Sequence, residues 1–234
     1  MDIVVTDLTR FSHREKVCTA GVDLSTGTIV RPMPYLRFDR CRELELHPGA
    51  ILRGKFTPVP DATPPHIEDM WHQDLVFIGP CSAEDFLCAM TTTESTGIQS
   101  GFGMQLASGS KCIPHDTPPP RSLITIRVNP HQFSIVEDNY KPGKIKAHVT
   151  DREDFVLRYV PITDLGYHDY AMAHLAEGES IQELNGFISS QPELYLRIGL
   201  SRRWNNSNGQ DGYWIQINGI YTFPNYMEYV RCYA

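Results

Sequence analysis

RSLITIRVNPHQFSIVEDNYKPGKIKAHVTDREDFVLRYVPITD, residues 121–164, is the stretch that decides the fold class. Four segments in it (121–128, 132–138, 144–151 and 154–164) are rich in β-branched and aromatic residues and read as strands. The turns between them carry "NP" and "KPG", residue types that set turn geometry. Four strands at this spacing suit a small barrel or sandwich.

Working outward toward the C-terminus, a mainly helical region follows. Its best helix is 179–190, where Ile181, Leu184, Phe187 and Ile188 fall on one face at offsets of three, four and seven. Two further strands, 193–200 and 213–223, close the set. Four strands, a helix and two strands predict an OB-like barrel over 122–234. Toward the N-terminus, residues 91–121 are rich in Thr, Ser, Gly and Pro and end in three prolines. That composition predicts a connection over 96–121, with little apolar periodicity to pack. Before it, strands are expected at 2–6, at 16–22, from the Ser25-Thr26-Gly27 turn to Arg31-Pro32, at 50–59 and at 75–78. A short helix over 82–90 would be capped by Ser82. Residues 1–95 would then form a shorter OB-like barrel. The fold class is all-β with minor helix, as two tandem OB-like β-barrels, because the helices are too few for an α/β sheet.

The 234 residues are enough for one large or two small domains. The net charge is -7, with 10 Lys/Arg against 15 Asp/Glu in residues 1–120 and 11 against 13 in 121–234. Neither half is a basic module, so any anion site must be local. Six cysteines (Cys18, Cys41, Cys81, Cys88, Cys112, Cys232) show no C-x-x-C pair and read as free thiols. The N-terminus has no signal-peptide pattern and no stretch approaches a membrane span, so a cytoplasmic, soluble protein is expected.

Several ordered motifs carry a resemblance. "VCTAGVDLSTGTIVRPMP", "PPHIEDM", "RSLITIRV", "VPITD" and "LRIGLSRRW…YWIQINGIYTFPNY" resemble the corresponding segments of bacterial dual OB-containing domain proteins. The match runs from about residue 3 to residue 227. The resemblance implies two OB-like barrels in tandem and nucleic-acid binding in a prokaryotic defence or genome-conflict setting. It carries no catalytic residue across.

The leading candidate site is Arg197, Arg202, Arg203, Trp204 and Trp214. OB barrels bind single strands by stacking bases on rings while cations follow the phosphates. Strand alternation sends Arg197 away from Leu196, Ile198 and Leu200, hence outward if those three fill the barrel. The alternative makes the tryptophans core and pairs the arginines with acids such as Asp211 or Glu193. A second basic-aromatic set, Arg31, Tyr35, Arg37, Phe38, Arg40 and Arg42, lies in "RPMPYLRFDRCR", read as a loop. Arginine suits phosphate and base together better than lysine does.

His66, Glu68, Asp69 and His72 form the most enzyme-like cluster. They could hold a divalent metal for phosphodiester cleavage. The competing reading is a loop clamp that fastens one barrel's connection against the other. No nucleophile elbow, Walker loop or cofactor motif is present, so no cofactor and no catalysis are expected. The predicted partner is a nucleic acid or nucleotide, with an adaptor for a neighbouring effector protein as a further alternative.

Overall fold

The structure is a computed structural model that describes residues 1–13, 15–141, 144–206 and 208–227. Cys232 lies outside the described residues. In the first half the strands are β1 (Asp2–Arg10), β2 (Lys16–Asp23), β3 (Thr28–Met33), β4 (Leu36–Arg37), β5 (Ala50–Pro58) and β6 (Asp69–Pro80), with helix α1 (Phe38–Glu43) between β4 and β5. They run β1-β5-β6-β3-β2, and β1 pairs back onto β2, which closes a five-stranded barrel. The one parallel contact, β3 with β6, is set by Arg31↔Asp69 and Met33↔Trp71. This order is compatible with an OB-type barrel. Ile3, Val5, Leu8, Val17, Val30, Leu46 and Leu52 fill it.

Two differences from the sequence reading matter here. The stretch after Tyr35, expected as loop, forms α1, with Asp39 in its first turn and Arg40 and Arg42 in its last, the arrangement a helix dipole favours. The strand expected at 75–78 begins at Asp69, so much of "IEDMWHQ" is strand rather than loop.

Helix α2 (Ala83–Thr92) starts where Ser82 accepts from the Asp85 amide. The segment beyond it, composed like a linker, packs tightly. It holds β7 (Glu94–Ser95), α3 (Ile98–Phe102) and β8 (Cys112–Pro114), and Ile98, Phe102 and Ile113 are fully buried. A few well-placed apolar residues suffice because β7 and β8 add to the sheet of the second half.

That sheet comprises β9 (Leu123–Val128), β13 (Glu193–Leu200), β14 (Trp204–Asn205) and β15 (Asp211–Phe223), in the order β14-β15-β13-β9-β7. A 3-10 turn (Pro130–Gln132) leads into a meander of β10 (Phe133–Glu137), β11 (Ile145–Thr150) and β12 (Val156–Pro161). Helices α4 (Leu165–Ala176) and α5 (Ile181–Ser189) follow β12. A capping box starts α5: Ser180 accepts from the Glu183 amide and Glu183 reaches back to the Ser180 amide.

The two halves are welded along β1, β13 and β15. Phe86 of α2 packs edge-on against Tyr221 at 4.9 Å and lies 4.6 Å from Tyr226, and the Tyr221 hydroxyl donates to the Thr6 carbonyl at 2.6 Å. Each such ring pair contributes about 1 kcal/mol beyond its buried area. Residues 194–200 are therefore buried on both faces: one face meets the second-half core and the other meets the first half.

Candidate functional site

The predicted site residues separate into a buried seam and an exposed rim. Arg197 belongs to the seam. It does point away from Ile198, as alternation requires, but that side of β13 faces the first half and the side chain is 0% exposed. Its Nε donates to Asp7 Oδ2 at 3.0 Å, Nη2 lies 2.9 Å from the same oxygen, and Nη1 donates to Thr125 Oγ1 at 2.8 Å. Asp7 is the partner, rather than the acids nearby in sequence. Gly199 does not end the strand; a Cβ there would overlap the Asn218 amide, so the position must stay small.

Arg31 is likewise buried. Its Nε donates to Asp69 Oδ1 at 2.6 Å, Nη1 to Ser122 Oγ at 3.0 Å and Nη2 to His66 Nδ1 at 3.0 Å. Glu68 accepts from the Ser122 amide at 2.8 Å, the Ser122 hydroxyl at 2.9 Å and the Leu123 amide at 3.1 Å. Thus β6 and the turn before it grip the start of β9 in the other half. A guanidinium donates to His66 and Asp69 and lies 3.6 Å from Glu68, so it sits where a metal ion would have to sit. His66 must accept from Arg31 and is therefore neutral; burial, then the Arg31 and Arg202 charges, hold its pKa down at about 2. Its Nε2 has no partner at hydrogen-bond geometry, although the Ser201 backbone nearby favours a proton there. His66, Glu68 and Asp69 are thus engaged by Arg31, Ser122 and Leu123, contacts of the kind a clamp between the halves makes. His72 stands apart, its Nε2 3.3 Å from the Pro34 carbonyl.

Cys18 lies against the same charges, and burial pushes its thiol up to about 11, so it is no nucleophile at neutral pH.

Arg202 marks the boundary between seam and rim. Nη2 pairs with Asp69 Oδ2 at 2.8 Å, Nε donates to the Tyr35 hydroxyl at 2.7 Å, and the guanidinium carbon lies 5.5 Å from the Tyr35 ring centre. Phe11 packs at a tilt against the same ring at 5.1 Å. Trp71, next to Met33 by register, is exposed beside this group.

The rim proper is Arg203, Trp204 and Trp214. Trp204 is 58% exposed, its ring stands edge-on to Trp214 at 5.7 Å, and Trp214 Nε1 donates to the Trp204 carbonyl at 3.2 Å. Arg203 forks onto Asp211, with Nε at 2.9 Å and Nη2 on the second oxygen, and the hydrogen bond to Asp211 raises its pKa further. Arg37 and Arg40 are exposed on the other half and pair with local acids, Asp39 at 3.1 Å and Glu43 at 2.9 Å.

No protein-family model matches the chain, and no curated protein or solved structure is detectably similar to it. None of the described helices is long and apolar enough to cross a membrane.

Proposed function

We propose that this chain binds single-stranded nucleic acid, or a nucleotide, through the rim around Trp204. The observation that carries the reading is an exposed tryptophan held at a fixed angle by a second tryptophan and flanked by Arg202 and Arg203. Such a ring is a stacking platform, and neighbouring guanidinium groups supply phosphate contacts. Asp211 orients Arg203 yet leaves it at the surface, 54% exposed. The acidic remainder of the chain disfavours binding elsewhere.

We further infer that the second half is an OB-like barrel in tandem with the first. Strands β9 and β10 act as one bent first strand, pairing with β13 at one end and β11 at the other. From β12 the path crosses α4 and α5 to β13, and β15 meets the residue just after β12 in a parallel bridge, Ile162↔Ile217. The first half has the same order, with α1 in the place of α4 and α5. On that reading Arg202, Arg203 and Trp204 sit on the loop joining the fourth and fifth strands, one of two loops that OB folds use for oligonucleotides. A defence or genome-conflict setting rests on the family resemblance alone.

The test is fluorescence anisotropy of labelled single-stranded DNA, single-stranded RNA and duplex DNA at two salt concentrations. Single-strand preference that weakens with salt is expected, and Trp204→Ala should weaken it by about tenfold. Unchanged affinity in Trp204→Ala with Arg203→Ala would remove this surface from consideration. Binding to none of the three probes would leave a nucleotide ligand and the effector-adaptor reading.

A further inference from the structure

The outer face of β11 and β12 carries Lys146, His148 and Arg158, with Lys111 beside them. Along β11, Ile145, Ala147 and Val149 are buried while Lys146 and His148 point outward. A bulge interrupts the pairing with β12 between Ala147 and Val149. Opposite it, Tyr159 adopts φ 54°, a left-handed conformation that is uncommon for a large side chain and marks a position held by its surroundings. The Tyr159 ring stands edge-on to His148 at 4.6 Å, and its hydroxyl accepts from Asn139 Nδ2 at 2.7 Å.

Lys111, Lys141, Lys146 and Arg158 surround these rings. Lys146 faces one carboxylate, Asp138, at 3.7 Å; among the described residues none pairs with Lys111, Lys141 or Arg158. Lys111 and Lys141 act on Lys146, and Arg158 and Lys111 act on His148. Burial lowers the Lys146 pKa, and Lys111 and Lys141 lower it further against the pull of Asp138. Burial lowers His148 too, and Arg158 and Lys111 add to the effect. Asp138 acts on both Lys146 and Lys141, which leaves this face with more cations than acids; such an excess is relieved by an anion, and a chain of phosphodiesters relieves several charges at once by releasing counterions.

Lys111 also links this face to the rim. Its carbonyl accepts from the Ile215 amide at 2.8 Å, one residue past Trp214, while its Nζ reaches the Tyr159 carbonyl at 3.5 Å.

We propose that the β11–β12 face is a phosphate track for a single-stranded nucleic acid whose bases reach the Trp204–Trp214 pair, with Lys111, Lys146 and Arg158 contacting successive phosphates. This deepens the single-strand reading above and rests on it. Rings on both parts of the surface favour an unpaired strand over a duplex, whose bases are already stacked on one another.

The experiment compares wild type, Trp204→Ala and the triple variant Lys111→Gln/Lys146→Gln/Arg158→Gln, titrating labelled oligodeoxythymidylate and oligouridylate across a salt series. Three lost phosphate contacts should make the slope of log K against log salt shallower by about 2, at roughly 0.7 per contact for single strands. Affinity at low salt should drop at least tenfold, while Trp204→Ala should lower affinity and keep the slope. Arg158→Glu alone, at an exposed position, should reproduce part of the loss with an unchanged melting temperature, which separates binding from folding. A triple variant with the wild-type slope overturns the track and leaves the Trp204 reading standing. Loss in the triple variant without loss in Trp204→Ala keeps the track and removes the rim. Tighter binding to duplex DNA or to anionic phospholipid vesicles than to either single strand overturns the proposal, as does no binding by wild type at low salt.

Discussion

Arg197 and Arg203 stand on one continuous strand and loop, and both end up paired with an aspartate. Arg197 meets Asp7 in the interior, 0% exposed; Arg203 meets Asp211 at the surface, in water. A guanidinium removed from water depends on the few partners it meets inside, so those partners become indispensable to folding. One left at the rim keeps its pair cheaply and can exchange it for phosphate. The same contrast separates Arg31, locked among Asp69, Ser122 and His66, from Arg158, which lacks any carboxylate partner among the described residues. Seam arginines join the halves, and rim arginines are available to a ligand.

The sharpest way to break this contrast is Arg197→Ala. It strands the Asp7 carboxylate in the interior, and urea denaturation should show a loss of about 3–5 kcal/mol. Removing both charges as Asp7→Leu/Arg197→Leu should restore much of that. If the single variant costs no more than a surface change, Arg197 is not buried as described. Next in size is Glu68→Ala, which leaves the Ser122 and Leu123 amides without their acceptor. A loss of about 2 kcal/mol is expected, and local hydrogen exchange at the start of β9 should quicken.

A smaller effect follows from His66. Its folded pKa of about 2 lies below the unfolded value of about 6.5, so below that value the unfolded chain takes up a proton the folded protein refuses. The stability from a neutral His66 is thus complete above about pH 6.5 and is lost, by on the order of 1 kcal/mol per pH unit, as pH falls toward the folded value. Denaturation of wild type and His66→Gln between about pH 7 and about pH 5 should show a flatter dependence in the variant. The smallest stability effect belongs to Arg203→Ala: no measurable change in melting temperature, with a clear loss of nucleic-acid affinity. A destabilised Arg203→Ala would move that residue from the rim to the seam.

Much of the fold could be read from local pattern. Period-two alternation gave β13 its full extent, 193–200, and the apolar face of Ile181, Leu184, Phe187 and Ile188 marked α5, because both signals depend on residues a few positions apart. Helix α1 was missed because its six residues are mostly charged and show no apolar face long enough to register a period. The packing of 96–121 was missed for a related reason: Ile98, Phe102 and Ile113 are too sparse to make a pattern, yet each lands in the core. The β11–β12 cations were also legible as residue types. Lys111 joins Lys146 and Arg158 only because β8 is hydrogen-bonded to β15 beside them.

The amino-acid sequence by itself determined the mostly β character, the strand positions in the second half and the caps of α2 and α5, since propensity, alternation and capping are local physics. Tertiary structure alone decided which arginines are solvent-exposed. Alternation states that Arg197 and Ile198 point to opposite sides of a strand, but not what lies on each side. The first half lies there, carrying Asp7 some 190 residues away in sequence, and that packing turns a predicted ligand contact into the joint between the halves.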